Sequence, residues 1–178
     1  MRTFKLKFLL IAFVLSTFAN ALNAAIVSVD KNKIRYSVDN VAMTAEVYGP
    51  VSSSTTITDL VIPDYIEYNG KQVPVTSIRD YAFDRFGLDP NENLKGSLKI
   101  GNNIQTIGER AFHYCSYLTG SLIIPDNVKT VGAHAFYWCS GLKGLKIGKG
   151  IKIIDEGTFE RCEFEDPVFI GENVKEIR

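Results

Sequence analysis

The chain has 178 residues, its 20 Lys and Arg balance 20 Asp and Glu, and 46% of its residues are hydrophobic. The charge balance excludes a general nucleic-acid binder, and the apolar content excludes a disordered chain. Three cysteines are too few for a disulfide-built scaffold. The composition therefore indicates a folded chain of about one domain, and its function must come from the order of its residues.

The N-terminal residues have the pattern of a secretory signal peptide. A basic start is followed by an apolar run and by the small residues Ala19-Asn20-Ala21, which signal peptidases cut. The alternative is a membrane anchor, but the apolar run is shorter than the roughly 20 residues that span a bilayer. We predict a signal peptide over residues 1–21, with cleavage near residues 21–25. The exported chain keeps 17 Lys and Arg against 20 Asp and Glu, a net charge of −3.

The next segment predicts a small antiparallel β cap over residues 26–56. Two alternating stretches, Ile34–Val38 and Val41–Tyr48, flank the turn residues Asp39-Asn40. Such a cap would cover the open edge of the structure that follows it.

Residues 57–178 repeat with a period of 23 or 24 residues. The recurring residues are Phe112, Phe136 and Phe159, together with Cys115, Cys139 and Cys162. The shared pattern is L-x-I-[GP]-x-x-[IV]-x-x-[IV]-x-x-x-[AT]-F-x-x-C, and about four and a half copies are present. A unit of this size cannot bury its own apolar side, so stacked units must share one core.

Each repeat predicts a strand, a turn and a return. The Leu-x-Ile alternation points Leu and Ile inward and the middle residue outward. Residues 109–114 and 133–138 fit a short helical or 3-10 return. The predicted fold is therefore an α/β repeat solenoid with short parallel strands.

The string I-[GP]-x-x-[VI]-x-x-I-G-x-x-A-F-x-x-C-x-x-L resembles the BspA-like leucine-rich repeats of Bacteroides-type surface and secreted proteins. The resemblance covers residues 60–177 and implies a right-handed leucine-rich-repeat coil. It also implies a β-hairpin in the first repeat, where Asn69-Gly70 is a strong hairpin signal. The function that it implies is binding of proteins at or outside the cell surface, often as an adhesin.

Two departures from the repeat carry expectations of their own. Residues 87–93 are an oxygen-rich insertion, but they lack the spacing of a calcium loop, so we expect a solvated turn. The last repeat is incomplete at Arg178. We expect this uncapped C-terminal coil to fray or to self-associate with another chain.

The cysteines share one repeat column beside the phenylalanines. We expect buried, unpaired thiols there, with one disulfide and one free thiol as the alternative. Histidines His113 and His134 lie in different columns, so they are not expected to form a ligand pair. The sequence has no nucleophile elbow, phosphate loop or zinc motif. We therefore predict no enzyme, no metal and no cofactor.

Two surfaces are candidates for binding. Leucine-rich repeats often bind ligands on the strand face, where Lys99, Ile123 and Lys146 are predicted to point outward. The second is an aromatic group of Tyr114, Tyr137 and Trp138, which could anchor a protein or a glycan or could simply pack on neighbouring turns. A further column, Gln105, Lys129, Lys152 and Lys175, is expected to be solvated.

These observations predict a secreted or cell-surface repeat protein whose partner is a protein of the host or of another bacterium. We expect no nucleic-acid partner and no transmembrane segment after signal cleavage. The alternatives are a carbohydrate-binding module that uses the exposed aromatics, and a structural spacer or fragment of a longer surface protein.

Overall fold

The computed structural model describes residues 27–85 and 93–178, and these residues form strands and turns without a helix. The predicted signal peptide and residues 87–92 of the insertion lie outside the described residues. In chain order the strands are β1 (Val27–Lys31), β2 (Ile34–Asp39), β3 (Thr44–Pro50), β4 (Ile57–Val61), β5 (Tyr65–Tyr68), β6 (Lys71–Ile78), β7 (Leu94–Lys99), β8 (Thr106–Ile107), β9 (Gly120–Ile124), β10 (Thr130–Val131), β11 (Leu142–Ile147), β12 (Ile153–Ile154), β13 (Val168–Phe169) and β14 (Glu176–Ile177).

The first three strands form an antiparallel meander that continues into the repeats. Strand β2 lies between β1 and β3, and its alternate residues Ile34, Tyr36 and Val38 are buried. Strand β3 then pairs in parallel with β6. The meander therefore covers the outer edge of β6 and shares one sheet with the first coils.

The first repeat contains the predicted hairpin. Strands β5 and β6 pair antiparallel around Asn69 and Gly70. Both turn residues have left-handed backbones, with φ of 49° and 71°, as a tight hairpin turn of this twist requires.

Each repeat contributes two short strands to two parallel ladders. Among the Leu-x-Ile strands, β4 pairs with β7, and β11 pairs with β9 on one side and β13 on the other. A bridge between Gly96 and Leu118 joins the two groups. In the second ladder β8 pairs with β6 on one side and β10 on the other, and β12 pairs with β14. The core lies between the ladders and is filled by the predicted inward Leu, Ile and Val residues.

A stack of phenylalanine rings closes the core on the side of the returns. The ring centroids are 5.2 Å apart for Phe83 and Phe112, 5.1 Å for Phe112 and Phe136, and 5.7 Å for Phe136 and Phe159. The rings are tilted against each other by only 6° to 9°. These distances measure the spacing from one coil to the next.

The predicted helical or 3-10 returns are not observed in the described residues. Residues 109–114 and 133–138 are successive turns, and each contains two left-handed residues, Arg110 and Tyr114 in one and His134 and Trp138 in the other. The coil spacing explains the difference, because packed helices need about 8–10 Å between their axes. A return only 5 to 6 Å from its neighbour must be thinner than a helix.

The turns also bond from coil to coil. Alternate N–H groups donate within the turn, as from Cys139 to the Phe136 carbonyl (3.3 Å), while the others donate to the next coil, as from Phe136 to the Thr158 carbonyl (2.9 Å). Phe112 likewise donates to the Ala135 carbonyl at 2.8 Å. Successive peptide groups thus form three chains of hydrogen bonds along the solenoid. The chains begin at the N–H groups of Tyr81, Phe83 and Arg85 and end at the carbonyls of Glu156, Thr158 and Glu160.

Asparagine side chains add bonds at the corner after the first strand. The Nδ2 atoms of Asn103, Asn127 and Asn173 donate to carbonyl oxygens of the preceding coil at 3.0, 2.8 and 2.8 Å. Tyr65 holds the equivalent position in the first coil, and Gly150, which has no side chain to form such a bond, holds it in the fourth.

Candidate functional site

The strand face presents one column of large outward side chains, which we call the strand-face column. Its members are Val61, Lys99, Ile123, Lys146 and Phe169. Pairing aligns Val61 with Lys99, Ile123 with Lys146, and Lys146 with Phe169. The predicted outward residues Lys99, Ile123 and Lys146 are therefore all exposed and stand in adjacent coils.

The apolar members of this column are unusually open to solvent. Val61 is 48% exposed, Ile123 54% and Phe169 62%. Repeat alignment alone could have added Val61 and Phe169 to the three residues predicted from the sequence, because both are the middle residue of a Leu-x-Ile-like strand. Large apolar side chains that project from a sheet towards solvent are a common mark of an interaction surface.

In the middle three coils, small residues precede the strand-face column, and Gly or Pro follows it in every coil. Ser97, Ser121 and Gly144 precede it, and Gly101 and Gly148 belong to the column that follows it. A Cβ atom at Gly101 would lie 2.8 Å from the Pro63 carbonyl, and one at Gly148 would lie 2.6 Å from the Asp126 nitrogen. The neighbouring coil leaves no room for a side chain at these two glycines, and the same column holds only prolines or glycine in the other coils, so the strand-face column forms a narrow ridge.

The two lysines of the ridge have no ionic partner among the described residues. Lys143, by contrast, places its Nζ 2.6 Å from Glu165 Oε1, which raises the pKa of the lysine. On the other side Asp59 accepts hydrogen bonds from the Ser97 N–H and hydroxyl, which lower the pKa of Asp59. The charges of Lys143 and Asp59 are therefore engaged, while those of Lys99 and Lys146 face solvent.

The predicted aromatic group is present on the return side, where it is part of a stack that we call the aromatic ladder. Tyr114 and Trp138 stack at 5.4 Å, Arg85 lies 6.0 Å from the Tyr114 ring, and Arg161 lies 5.6 Å from the Trp138 ring. Tyr137 joins Tyr114 edge-on at 5.5 Å. The sequence analysis missed both arginines, although they occupy the same repeat column as Tyr114 and Trp138.

The aromatic ladder leaves little ring face free. Tyr114 comes from the preceding coil and Arg161 from the following coil, so they cover opposite faces of the Trp138 indole. Trp138 is 39% exposed, and Tyr114 and Tyr137 are half-buried. A sugar ring stacks on an open aromatic face, so the edges that remain favour contact with a protein.

The two histidines lie beside this ladder, and both pack against Tyr137. The Nδ1 atom of His113 is 2.7 Å from Asp84 Oδ1, and the ring packs 5.2 Å from Tyr137. The His134 ring contacts Tyr137 edge-on at 5.6 Å. In the part of the chain that the structure describes, no group of three His, Cys, Asp or Glu side chains could hold a metal ion.

The three cysteines are free, as predicted, but only Cys115 and Cys139 are buried, and Cys162 is partly exposed. Each thiol donates to the carbonyl of the phenylalanine in the preceding coil, with Sγ–O distances of 3.3 Å for Cys115, 3.1 Å for Cys139 and 3.1 Å for Cys162. Burial raises the pKa of all three thiols, that of Cys162 to about 11. They are structural groups with little tendency to react.

Short parallel strands, one inward phenylalanine per coil and an outward column on the strand face define a leucine-rich-repeat solenoid. Residues 76–178, more than half of the chain, match the BspA type leucine rich repeat region in six copies. The chain therefore belongs to the BspA type leucine-rich repeat family.

Solved bacterial structures share this fold. A leucine rich cell surface protein from Faecalibacterium prausnitzii is 26% identical with a TM-score of 0.63, over 84% of this chain and 38% of its own length. A leucine-rich repeat protein from Bacteroides capillosus is 24% identical with a TM-score of 0.65, over 80% of this chain and 97% of its own. The pneumococcal vaccine antigen PcpA is 19% identical with a TM-score of 0.53, over 87% of this chain and 47% of its own.

This chain thus spans well under half the length of the Faecalibacterium protein. No match to a curated protein was found. Within the described ranges, no helix has the length and apolar character needed to cross a membrane.

Proposed function

We propose that this chain is exported and binds proteins at or outside the bacterial cell surface, where it mediates adhesion to proteins of a host or of other bacteria. Membership of the BspA type family and the likeness to a cell surface protein of Faecalibacterium support this location. We expect no catalytic activity, because the sequence carries no motif for a nucleophile, phosphate loop or metal.

The proposed organisation has three parts. Residues 1–21 are a signal peptide cleaved near residues 21–25, residues 26–56 are an N-terminal β cap, and residues 57–178 are leucine-rich repeats. The basic start and the A-x-A site support the signal peptide. The antiparallel meander β1–β3, which covers the edge of β6, supports the cap.

The strand-face column is the proposed binding surface, and one observation carries this choice. Exposed apolar side chains alternate there with lysines that form no ion pair among the described residues, on a ridge whose flanks are mostly small residues or proline. Apolar contact supplies affinity, and lysines select a partner of opposite charge. Neither feature is needed to stabilise the fold, because Ile123, Lys99 and Lys146 contribute nothing to the core.

Carbohydrate binding through Tyr114, Tyr137 and Trp138 is the weaker alternative. Side chains of the neighbouring coils cover the faces of the Trp138 ring. The remaining alternative is a structural spacer, for which neither surface would bind a ligand.

Binding assays on the mature chain separate these functions. We expect binding to a panel of extracellular-matrix and bacterial surface proteins, weakened at least tenfold by Lys99→Glu with Lys146→Glu or by Ile123→Asp. The matched control is Lys129→Glu with Lys175→Glu, which reverses two exposed lysines the same number of coils apart on the other ladder. A glycan signal lost in Trp138→Ala would instead support the carbohydrate function, and silence in both assays would leave the spacer.

A further inference from the structure

We propose that the strand-face column docks an amphipathic α-helix of a different protein, laid along the solenoid axis. This inference rests on the proposed function of the same surface and adds the secondary structure and charge pattern of the partner. It follows from three properties of the column: its spacing, its alternation and the charge of its lysines.

The spacing of the column matches the pitch of a helix. Neighbouring strands in a sheet lie about 4.8 Å apart, and the phenylalanine stack gives 5.1 to 5.7 Å between coils on the far side of the core. A helix presents one residue per turn to a flat surface every 5.4 Å or so. From Val61 to Phe169 the column makes four steps, about 19 Å at strand spacing, against roughly 22 Å for four helical turns.

An extended peptide does not keep this register. Its side chains on one face repeat about every 6.7 Å, so four such steps cover roughly 27 Å, against about 19 Å for the column. A strand laid along the axis would therefore be out of step with the column after the second coil. A peptide laid parallel to the strands would meet only one or two members of the column. A helix along the axis is therefore the element whose side chains can reach all five members.

The alternation of the column fixes the sequence pattern of the helix. Apolar residues Val61, Ile123 and Phe169 are each separated by one lysine. Two coils correspond to two helical turns, or about seven residues. The partner should carry apolar residues seven apart, with an acidic residue three or four positions after each, because Lys99 and Lys146 are exposed and form no ion pair within the described ranges.

The narrow ridge supports a helical partner as well. In the middle three coils the positions before the column are Ser97, Ser121 and Gly144, and those after it are Gly or Pro. A cylinder about 10 Å across can therefore lie over this part of the column without meeting another long side chain. A second copy of this chain is a poor candidate, because residues 27–85 and 93–178 contain no helix.

A designed peptide tests the proposal directly. The probe is a synthetic peptide of about 17 residues with Leu at every seventh position and Glu three residues after each Leu. Its control has the same composition with Leu and Glu alternating, which suits an extended strand. We expect the helical probe to bind the mature chain and to gain helical circular dichroism on binding, with at least tenfold tighter affinity than the control.

Reversing the charges on both partners tests whether Lys99 and Lys146 contact the acidic residues of the probe. Lys99→Glu with Lys146→Glu should weaken the helical probe at least tenfold, and a probe with Lys in place of Glu should recover binding to that variant. The control variant Lys129→Glu with Lys175→Glu should bind the helical probe and the Lys-bearing probe with the same affinities as the parent chain. Equal binding of both peptides, an unchanged affinity in the charge-reversed variant, or no binding at all would overturn the helix proposal.

The panel of surface proteins distinguishes failure of the helix proposal from failure of the proposed function. If surface proteins bind through Lys99, Ile123 and Lys146 while the helical probe does not, the helix is wrong and the proposed function stands. If neither binds, the proposed function fails with it. All the variants change exposed side chains, so their thermal unfolding should match that of the parent chain.

Discussion

At the scale of single residues, the returns of this solenoid depend on side chains in an uncommon backbone conformation. Arg110, Tyr114, His134, Trp138 and Arg161 all have left-handed backbones, with φ between 50° and 63°. Each costs roughly 1–2 kcal/mol relative to the ordinary helical region. Stacking between neighbouring coils offsets part of this cost, since Tyr114, Trp138 and Arg161 contact one another in sequence.

This backbone predicts an inverted preference between Gly and Ala at position 138. Trp138→Gly should be more stable than Trp138→Ala by about 1 kcal/mol, because Gly adopts a positive φ without strain. The measurement is denaturant unfolding of both variants. At Tyr137, which has no positive φ, the order should be the usual one, with Gly the less stable. An Ala variant as stable as the Gly variant at position 138 would contradict the left-handed assignment.

The buried thiols predict a loss of stability in alkali. Burial raises the pKa of Cys162 from 9.0 to about 11, so the folded state holds this proton more tightly than the unfolded state. The stabilisation from this thiol is complete below pH 9 and is lost as the pH rises towards 11. Unfolding followed between pH 8 and 11 should show this decline. Cys162→Ala should decline less steeply, and an unchanged slope would contradict the assignment.

At the scale of the repeat element, crowding at Gly150 predicts that this corner cannot accept the asparagine that three other coils carry there. Gly150→Asn should destabilise by about 1–3 kcal/mol, although Asn occupies this position in three coils. A Cβ atom there would come within 2.3 Å of the Asp126 and Val128 carbonyl oxygens. Thermal unfolding provides the measurement, with the exposed neighbour Lys149→Asn as the control, expected within about 0.5 kcal/mol. A stabilised Gly150→Asn would show that the corner is looser than the structure indicates.

Much of each element follows from the sequence because it depends on periodicity. The inward phenylalanines, the Leu-x-Ile strands and the outward Lys99, Ile123 and Lys146 all follow from aligned repeats. The returns do not, because short polar and aromatic stretches such as residues 133–138 suit a helical turn equally well. Only the spacing between coils excludes the helix, and this spacing is a property of the stack.

Prediction of the binding surfaces from the sequence is limited in the same way. Exposure of Ile123 follows from strand alternation, whereas coverage of the Trp138 ring by Arg161 depends on which side chains meet across coils. The column position of Arg161 could suggest a neighbour of Trp138. It could not indicate that both faces of the indole would be occupied.

At the scale of the whole molecule, each coil depends on its neighbours. Phe136 is fully buried between Phe112 and Phe159. Phe136→Ala should therefore cost about 3–5 kcal/mol, as for other buried aromatics. Because a stack of repeats can open locally, amide hydrogen exchange should rise in the coils around residue 136 while β1–β3 keep their protection.

The control for Phe136→Ala is Phe169→Ala, which removes an exposed ring and should change the free energy of unfolding by less than about 0.5 kcal/mol. Uniform loss of protection along the whole chain in Phe136→Ala would indicate a single cooperative unit instead of separable coils.

The three hydrogen-bonded chains through the returns give the solenoid an electrical direction. In each chain the carbonyls face the N-terminal coils and the N–H groups face the C-terminal coils, as at Ala111 and Phe112. Peptide dipoles of about 3.5 D therefore add along the axis, with the positive pole towards the C-terminal coils. Two solenoids that met by their C-terminal coils would set the N–H donors of one against those of the other. Association through the C-terminal coil edges would consequently disfavour closed symmetric dimers.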